Sequence, residues 1–238
     1  MPDVTFDFTG RVVLITGGNG NLGRAVARLF FDSGATVVVT DRRADFTLPF
    51  PDTGRAFAEG GVDVTDPAAA NALVARVLER FGRIDVLVNT VGGYRAGQSV
   101  PETSPETWDF LWALNLRSTL NMCRAVVPAM LERRQGKIIN VAAAAALQGQ
   151  ANSAAYAASK SAVVRLTESL SAEVKRQGIN VNAVAPSVID TPQNRAAMPN
   201  ADFSLWVTPE ALARVIAFLA SDAAAPIHGV LLPVFGAR

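Results

Sequence analysis

The sequence predicts an α/β protein in which one mainly parallel sheet is covered by helices on both faces. Two observations carry this prediction. Helical patterns alternate with short apolar runs along the 238 residues, and such alternation is typical of a parallel sheet. The apolar runs are nearly continuous, as expected of strands buried on both faces. No linker, composition break or repeat divides the chain, so we expect one doubly wound domain over residues 1–238.

The first half of the chain holds four predicted strands and two predicted helices. Asp66 and Pro67 supply an N-cap and a first-turn proline to the second helix, and Gly34 and Gly82 end the two helices. The predicted strands are 11–16, 36–40, 57–62 and 84–88, and the helices are 21–33 and 67–81.

The stretch 44–55 contains Pro49, Pro51 and Gly54, and we predict a loop there instead of a helix. The second half continues the alternation of helices and strands. Its predicted helices are 105–133, a helix bearing Tyr156 and Lys160, and 209–221, and its strands are 137–141, 179–184 and 230–234.

Composition excludes several function classes. Half of the residues are hydrophobic, 18% are charged and the net charge is +1 with no basic run, which argues against a nucleic-acid partner. No apolar run reaches the roughly 18–20 residues that span a bilayer. The single Cys123 and the absence of a signal-like start predict a cytoplasmic protein, with Cys123 buried in a helix. A lone His228 predicts no metal site.

A glycine-rich turn joins the first predicted strand to the first helix. It reads Thr16-Gly-Gly-Asn-Gly-Asn-Leu-Gly23. Glycines at this place permit a tight turn and let backbone N–H groups approach a pyrophosphate at a helix N-terminus. The turn therefore predicts a dinucleotide site, and an ordinary glycine turn is the alternative.

Asp41 directly follows the second predicted strand. A carboxylate at this position accepts hydrogen bonds from an adenosine ribose and repels a 2′-phosphate, which favours NAD over NADP. Arg42 and Arg43 adjoin Asp41 and partly offset that repulsion, so NADP stays open.

Tyr156 and Lys160 stand four residues apart on one predicted helix, so both side chains lie on one face. A phenol has an unperturbed pKa of about 10 and is a poor proton donor or acceptor near neutrality. A neighbouring cation favours the phenolate, and we expect Lys160 to lower the pKa of Tyr156 toward the working range of an acid/base catalyst. Such a pair also occurs on helices that have no catalytic role.

Six motifs together resemble the short-chain dehydrogenase/reductase family over nearly the whole chain. They are the glycine turn, Asp63-Val64, Asn89-Thr-Val-Gly92, Asn115, Tyr156-x-x-x-Lys160 and Pro186…Thr191. The resemblance implies a Rossmann-type fold, hydride transfer to or from a small molecule, and a homodimer or homotetramer built through the long helices. The cofactor-binding residues it implies are Gly17, Asn19, Asn21, Leu22, Gly23, Asp41, Asp63, Val64, Asn89, Tyr156, Lys160, Pro186, Ile189 and Thr191.

The resemblance also implies individual roles. Tyr156 is the general acid/base, Lys160 binds the nicotinamide ribose, and Asn115 holds a water that links Lys160 to solvent. Asp63 and Val64 contact adenine, the Asn89 segment lines the cofactor and steadies the central strand, and Ile189 and Thr191 contact the carboxamide. Two alternatives stay open: Asp63 as a turn former and Asn115 as a helix residue bonded to nearby backbone.

Three positions depart from the family pattern. Asn21 replaces a glycine, and asparagine tolerates left-handed backbone better than most residues. Ser187 replaces another glycine. The family's catalytic serine lies thirteen residues before the tyrosine, where this chain has Ala143. Ser153 is nearer in sequence, but no pattern places its hydroxyl at a reacting carbonyl, and we expect it in a loop.

The missing hydroxyl and a C-terminal segment suggest an unusual substrate. Residues 190–206 are similar to the substrate loop of dihydropteridine reductase, a divergent family member that also lacks the serine and keeps Tyr-x-x-x-Lys. We expect a substrate-covering loop at about 187–208. Reduction of a quinonoid pterin is one hypothesis, reduction of an unidentified ketone or aldehyde is a second, and a catalytically impaired NAD-binding regulator is a third.

Overall fold

A computed structural model describes residues 5–48, 50–51 and 54–237. Seven parallel strands form one sheet in the order β3-β2-β1-β4-β5-β6-β7. The strands are β1 Val12–Thr16, β2 Thr36–Thr40, β3 Ala56–Glu59, β4 Val86–Asn89, β5 Gly136–Val141, β6 Ile179–Pro186 and β7 Leu231–Val234. The sheet confirms the predicted single doubly wound α/β domain.

Helices cover both faces of the sheet. They are α1 Asn21–Asp32, α2 Pro67–Phe81, α3 Pro105–Leu111, α4 Ser118–Arg133, α5 Ala154–Val174, α6 Pro192–Ala197 and α7 Pro209–Ala220. One apolar cluster packs α1 and α7 against one face, and a second packs α2 and α4 against the other. No helix among the described residues is both long and apolar enough to cross a membrane.

The predicted helix ends are confirmed where local chemistry decides them. The Asp66 carboxylate accepts a hydrogen bond from the backbone N–H of Ala68 at 2.9 Å, and Gly82 ends α2 in the left-handed conformation with φ 70°. The predicted helix 105–133 is continuous, but its middle, Trp112–Arg117, is a π-helix between α3 and α4.

Strand β3 is shorter than predicted. It was expected over 57–62 and instead runs from Ala56 to Glu59. Two glycines follow it, and Gly61 has a φ of +73° that is incompatible with an extended strand. The chain thus turns after Glu59, and Val62 to Thr65 lie in the connection to α2.

The predicted loop at 44–55 is confirmed within its described residues; Pro49 lies outside them. The loop folds back on α1, where the Phe50 ring stacks on Phe31 with centroids 4.3 Å apart. The Arg24 guanidinium donates to the carbonyl of Thr47 at 3.0 Å. Aromatic packing and side-chain hydrogen bonds therefore hold the described residues of this segment, none of which is helical.

The strand order reverses direction between β1 and β4. From β1 the chain continues to β2 and β3 on one side, and from β4 it continues to β5, β6 and β7 on the other. Connections on both sides leave a crevice above the carboxyl ends of β1 and β4, and ligands of open parallel sheets bind at such a switch point.

Candidate active site

The glycine turn after β1 leaves no room for side chains. A Cβ on Gly18 would lie 1.7 Å from Cγ1 of Val39, and one on Gly23 would lie 2.3 Å from the carbonyl oxygen of Gly17. Gly17 itself has a φ of +66°. Gly18 and Gly23 are thus required by packing within the protein. Gly17 and Gly20 line the crevice and present backbone without a side chain there, which is the cradle that a pyrophosphate needs.

Asn21 starts α1 in an ordinary helical conformation. Among the described non-glycine residues only Arg134 and Asn152 have a positive φ, so the explanation that Asn21 serves as a left-handed residue is wrong. Its side-chain amide instead donates to Oε1 of Gln193 in α6 at 2.8 Å. Leu22 and Gly23 follow it as buried residues of α1.

A cleft of about 420 Å³ lies at the switch point. It includes the predicted cofactor residues Gly17, Asp41, Asp63 and Val64. The other lining residues are Gly20, Thr40, Arg42, Val62, Thr65, Thr90, Val91, Gly92, Phe110, Ala113 and Leu114. The structure therefore brings together the residues that sequence assigned to the adenosine half of a dinucleotide.

The Asp41 carboxylate joins the glycine turn to the end of β2. One oxygen accepts from the backbone N–H of Asn19 at 3.1 Å, and the other accepts from the backbone N–H of Arg43 at 3.0 Å. An ionised carboxylate has about four lone-pair sites, so both oxygens retain capacity for donors from a ligand.

Asp63 combines the two roles considered for it. Its Oδ1 accepts from the backbone N–H of Thr65 at 2.9 Å and from the Thr65 hydroxyl at 2.7 Å, which is a turn-forming arrangement. These bonds, helped by the charge of Arg42, hold the pKa of Asp63 below its usual range. The same residue also lines the cleft.

Asn89 is buried at the end of β4 and does not line the cleft. Its amide donates to Oδ1 of Asn140 on β5 at 2.9 Å, and the Asn140 amide donates to Thr167 at 2.9 Å. Asn89 thus links the central strands to α5, as the steadying role requires. The next three residues, 90–92, form the part of this segment that faces the cleft.

Gly92 marks the point where the cleft meets the predicted catalytic residues. A Cβ on Gly92 would lie 3.0 Å from Oδ1 of Asn115 and 3.0 Å from Nζ of Lys160. Both side chains are almost completely buried. Gly92 alone therefore separates the cleft from the Asn115 amide and the Lys160 ammonium group.

Asn115 lies in the π-helix and fixes two segments at once. Its Oδ1 accepts from the backbone N–H of Gly93 at 2.9 Å, and its amide donates to the Gly93 carbonyl at 3.1 Å and to the Ser159 hydroxyl at 3.0 Å. The Ser159 hydroxyl donates to the Tyr156 carbonyl at 2.8 Å. Asn115 is thus bonded to nearby backbone, as the alternative expected, and it joins the strand-end loop to the helix that carries Tyr156.

Burial dominates the titration of Tyr156 and Lys160. It raises the pKa of Tyr156 to about 12, with a smaller contribution from Tyr94. It lowers the pKa of Lys160 to about 8. The pKa of Tyr156 is therefore shifted opposite to the expected direction, because burial disfavours the phenolate, and the Lys160 ammonium is not among the causes of the shift. The Lys160 ammonium donates to the Val141 carbonyl at 2.9 Å.

Ala143 is buried and directly precedes the short 3-10 helix Ala144–Ala146. It brings no hydroxyl to the site. Ser153 was expected in a loop and stands as the buried N-cap residue of α5, where it lines a separate cavity of about 230 Å³ beside Arg95.

The predicted carboxamide residues lie on a C-terminal segment anchored at both ends. Ile189 pairs with Val207 in an isolated bridge, and Thr191 caps α6 by accepting from the backbone N–H of Asn194 at 3.2 Å. Pro186 is buried at the end of β6. Thr191 and Asn21 line a second groove of about 830 Å³ that begins next to the cleft at the start of α1.

Two contributors were given no role by reasoning from sequence. Ser159 relays the Asn115 contact to α5, and the Tyr94 ring meets the Tyr156 ring edge-on, with centroids 4.8 Å apart. The double glycine 92–93 at the end of a predicted strand was the available signal for Tyr94, because it marks a close approach of backbone to another group. Together the residues form a dinucleotide cradle beside a partly buried phenol and a buried ammonium, the arrangement of a nicotinamide-dependent oxidoreductase.

Comparison with known proteins agrees with this class. The family model described as short chain dehydrogenase matches residues 11–202. The chain therefore belongs to the short-chain dehydrogenase/reductase family of NAD(P)-dependent enzymes.

Similar proteins cover nearly the full chain. A 3-oxoacyl-[acyl-carrier-protein] reductase of Thermotoga maritima is 34% identical over 243 aligned positions, with 95% of this chain and 97% of the relative covered. A D-threitol dehydrogenase of Mycolicibacterium smegmatis is 36% identical over 251 positions, covering 98% of this chain and 95% of the relative.

Solved structures show the same fold. A gluconate 5-dehydrogenase from Burkholderia cenocepacia, in complex with NADP and tartrate, superposes with a TM-score of 0.89 at 33% identity and covers 97% of this chain and 96% of that one. ElxO with NADP bound superposes with a TM-score of 0.88 at 27% identity, covering 95% and 97%.

Proposed function

We propose that this enzyme transfers a hydride between a nicotinamide dinucleotide and a small organic acceptor, with Tyr156 as the general acid/base. The observation that carries the proposal is the convergence of Asn115 and Lys160 on Gly92, which lines the cleft. A regulatory protein that only binds a dinucleotide has no need of a buried ammonium beside a phenol, because burying a charge lowers stability.

The cofactor site fits a dinucleotide on steric and electrostatic grounds. The glycine turn presents bare backbone to the pyrophosphate, and Asp41 offers free lone pairs to the adenosine ribose. We infer a preference for NADH from Asp41, whereas the lining Arg42 favours NADP. The bound nicotinamide supplies or accepts the hydride.

Tyr156 donates the proton that accompanies reduction of the acceptor. Its pKa of about 12 keeps the phenol protonated at neutral pH, so the side chain starts as an acid. The Lys160 ammonium stabilises the phenolate left behind, and Asn115 holds the loop and helix in register through Gly93 and Ser159. The water held by Asn115 and the carboxamide contacts of Ile189 and Thr191 remain predictions.

We infer that the substrate is a planar conjugated acceptor of the quinonoid pterin type, because Ala143 provides no donor to a developing oxyanion. Hydride addition to a conjugated ring spreads the charge and depends less on such a donor. The second candidate is an isolated ketone or its alcohol, and the names of the similar proteins favour it: an oxoacyl reductase, a threitol dehydrogenase and a gluconate dehydrogenase.

The experiment is a substrate panel followed through nicotinamide absorbance. Quinonoid dihydropterin, 3-oxoacyl esters and polyols are each tested with NADH and NADPH, or with the oxidised forms, for the parent enzyme and Tyr156→Phe. Turnover that disappears in Tyr156→Phe supports the proposal. Tight NADH binding without turnover on any compound overturns it in favour of a regulatory protein.

Ala143→Ser separates the two substrate classes. Removing an oxyanion donor costs about 10²–10³ in rate in enzymes that use one. If the substrate is a conjugated acceptor, restoring the hydroxyl leaves its turnover within a few-fold. A gain of about 10²-fold on ketones, with no pterin activity, would instead identify ketone chemistry that has decayed.

Three further points belong to this proposal. We infer a homodimer or homotetramer built through the long helices, where Trp112 and Leu131 are exposed, and sedimentation at several protein concentrations tests it. Residues 187–208 cover the substrate in the proposal. A cytoplasmic location remains a prediction from the sequence.

A further inference from the structure

The sequence contains two tyrosines, and both lie at the candidate active site. The rings of Tyr94 and Tyr156 meet at an interplanar angle of 83° with centroids 4.8 Å apart. Tyr156 is the proposed acid. Tyr94 has no role in the mechanism above, although it contacts the reacting side chain directly.

The residues on either side of Tyr94 are held in place. Gly93 makes two hydrogen bonds with the Asn115 side chain, at 2.9 and 3.1 Å. The Arg95 guanidinium lies over the Phe110 ring at 3.6 Å from its centroid. Tyr94 itself is 69% exposed. A large ring that is exposed on a fixed backbone contributes little to the core and is available to a ligand.

The Tyr94 hydroxyl forms no hydrogen bond with any described residue. Other hydroxyls near the cleft are already engaged or lie elsewhere. Thr90 donates to the Thr16 carbonyl at 2.5 Å, Ser159 donates to the Tyr156 carbonyl, and Ser153 lines a different cavity. Tyr94 therefore offers a free donor next to Tyr156, on a site whose position 143 has none.

We propose that the Tyr94 hydroxyl donates the second hydrogen bond to the substrate atom that Tyr156 protonates, in place of the hydroxyl that Ala143 lacks. The ligand class is a substrate with a carbonyl oxygen or an imine-type nitrogen as acceptor. The contact adds a hydrogen bond and breaks no covalent bond. This inference rests on the proposed function, because it concerns the same proton transfer.

Electrostatics agree with the geometry. Tyr94 is the second cause of the raised pKa of Tyr156, after burial. Two phenols whose rings are in contact are close enough to address one small acceptor. A phenol also donates a hydrogen bond while staying protonated, so Tyr94 need not share the proton-transfer role.

The kinetic test compares Tyr94→Phe with Tyr94→Leu on the best substrate of the panel. Tyr94→Phe keeps the ring and removes the donor. We expect kcat to fall about 10-fold, less than the about 10²–10³-fold of an oxyanion donor because a conjugated acceptor spreads its charge, with KM and NADH affinity nearly unchanged. Adding Ala143→Ser to Tyr94→Phe restores at least part of the loss, since it supplies a hydroxyl from the other position. Thr103→Val, a change in a neighbouring cavity, is the control.

One result overturns the Tyr94 inference and leaves the proposed function intact: Tyr94→Phe retains parental kcat. If Tyr94→Leu then loses activity, the ring is a wall of the site and the hydroxyl has no donor role. Failure of the proposed function is distinct, because then the parent enzyme shows no turnover that depends on Tyr156.

A second readout does not depend on turnover. Isotope-labelled tyrosine gives two NMR signals, which Tyr94→Phe and Tyr156→Phe assign. Binding of the best substrate of the panel, added without cofactor, shifts both signals if both phenols contact it. A shift confined to Tyr156 overturns the inference even where kinetic effects are small.

Discussion

Two buried lysines occupy opposite ends of strand β5. Lys137 is the second residue of the strand, at its amino end, and the residue is 9% exposed. Lys160 reaches from α5 to the carboxyl end, where its ammonium donates to the carbonyl of Val141, and it is 5% exposed. Burial lowers the pKa of both groups.

The two lysines differ in what compensates their charge. Nζ of Lys137 donates to Oδ1 of Asn180 at 2.8 Å, and the carboxylate of Asp222 partly raises the Lys137 pKa again. In the described part of the chain no carboxylate pairs with Lys160, and burial is the sole cause of its shift to about 8. Lys137 thus has a nearby carboxylate that Arg11 partly offsets, whereas the charge of Lys160 has no carboxylate partner among the described residues.

The largest expected contrast is in turnover. Lys160→Met removes the cation that we propose stabilises the Tyr156 phenolate, and we expect kcat to fall by at least about 10²-fold, the range of one electrostatic or acid–base contribution. Lys137→Met lies at the far end of the strand and should keep kcat within about threefold. Steady-state kinetics on one substrate measures kcat of both variants. Equal losses would show that the two lysines do not differ in their importance for turnover.

The two substitutions, Lys160→Met and Lys137→Met, should change the stability of the protein in opposite directions. Replacing the uncompensated Lys160 by an apolar residue is expected to raise the free energy of unfolding at neutral pH by about 1–3 kcal/mol. Lys137→Met leaves the buried Asn180 oxygen without its donor and is expected to lower stability by about 1–3 kcal/mol. Urea unfolding of both variants, with circular dichroism as the readout, checks the signs. A destabilised Lys160→Met would mean that its charge is compensated in solution.

The stability difference between Lys160→Met and the parent should also depend on pH. The Lys160 pKa is about 8 in the folded protein and near 10.5 when unfolded, so the unfolded state binds more protons between these values. The stability penalty is fully present below pH 8 and disappears as pH rises to 10.5. The advantage of Lys160→Met over the parent should therefore shrink across this window. Urea unfolding of both proteins at a series of pH values measures it, and a constant difference would contradict the shift.

The smallest expected effect concerns the compensating carboxylate. Asp222 has an exposed side chain, paired with Arg11 at 3.0 Å, and exposed pairs contribute about 0–1 kcal/mol. Asp222→Asn should lower the free energy of unfolding by less than about 1 kcal/mol, with a smaller loss at high salt, and leave kcat unchanged. A change in kcat would show that the two ends of β5 are coupled.

The cofactor half of the site was predictable because local chemistry decides it. The sequence itself shows the features that decide it: glycines in the turn, the Asp41 carboxylate at a strand end and the N-cap pair Asp66-Pro67. The fold followed from the alternation of patterns, and β3 ended early only because Gly61 turns the backbone. Cys123 proved buried as expected, with a pKa raised to about 12.

The substrate half was less predictable because it depends on contacts between distant segments. The direction of the Tyr156 pKa shift depends on how deeply packing buries the phenol, and spacing on a helix does not contain that information. Tyr94 reaches Tyr156 from 62 positions earlier in the chain through a loop fixed by Asn115. The role of Asn21 likewise depends on a distant residue, because its side chain bonds to Gln193 in α6.

The hydrogen bond between Asn21 and Gln193 has a kinetic consequence. It joins the first residue of α1 to α6, so any movement of α6 away from α1 has to open this contact. A single hydrogen bond contributes about 0.5–1.5 kcal/mol net, which slows that opening by no more than about tenfold. Asn21, where the chain departs from the family's glycine, thus restrains α6 weakly, and we expect α6 to separate from α1 faster in Asn21→Gly.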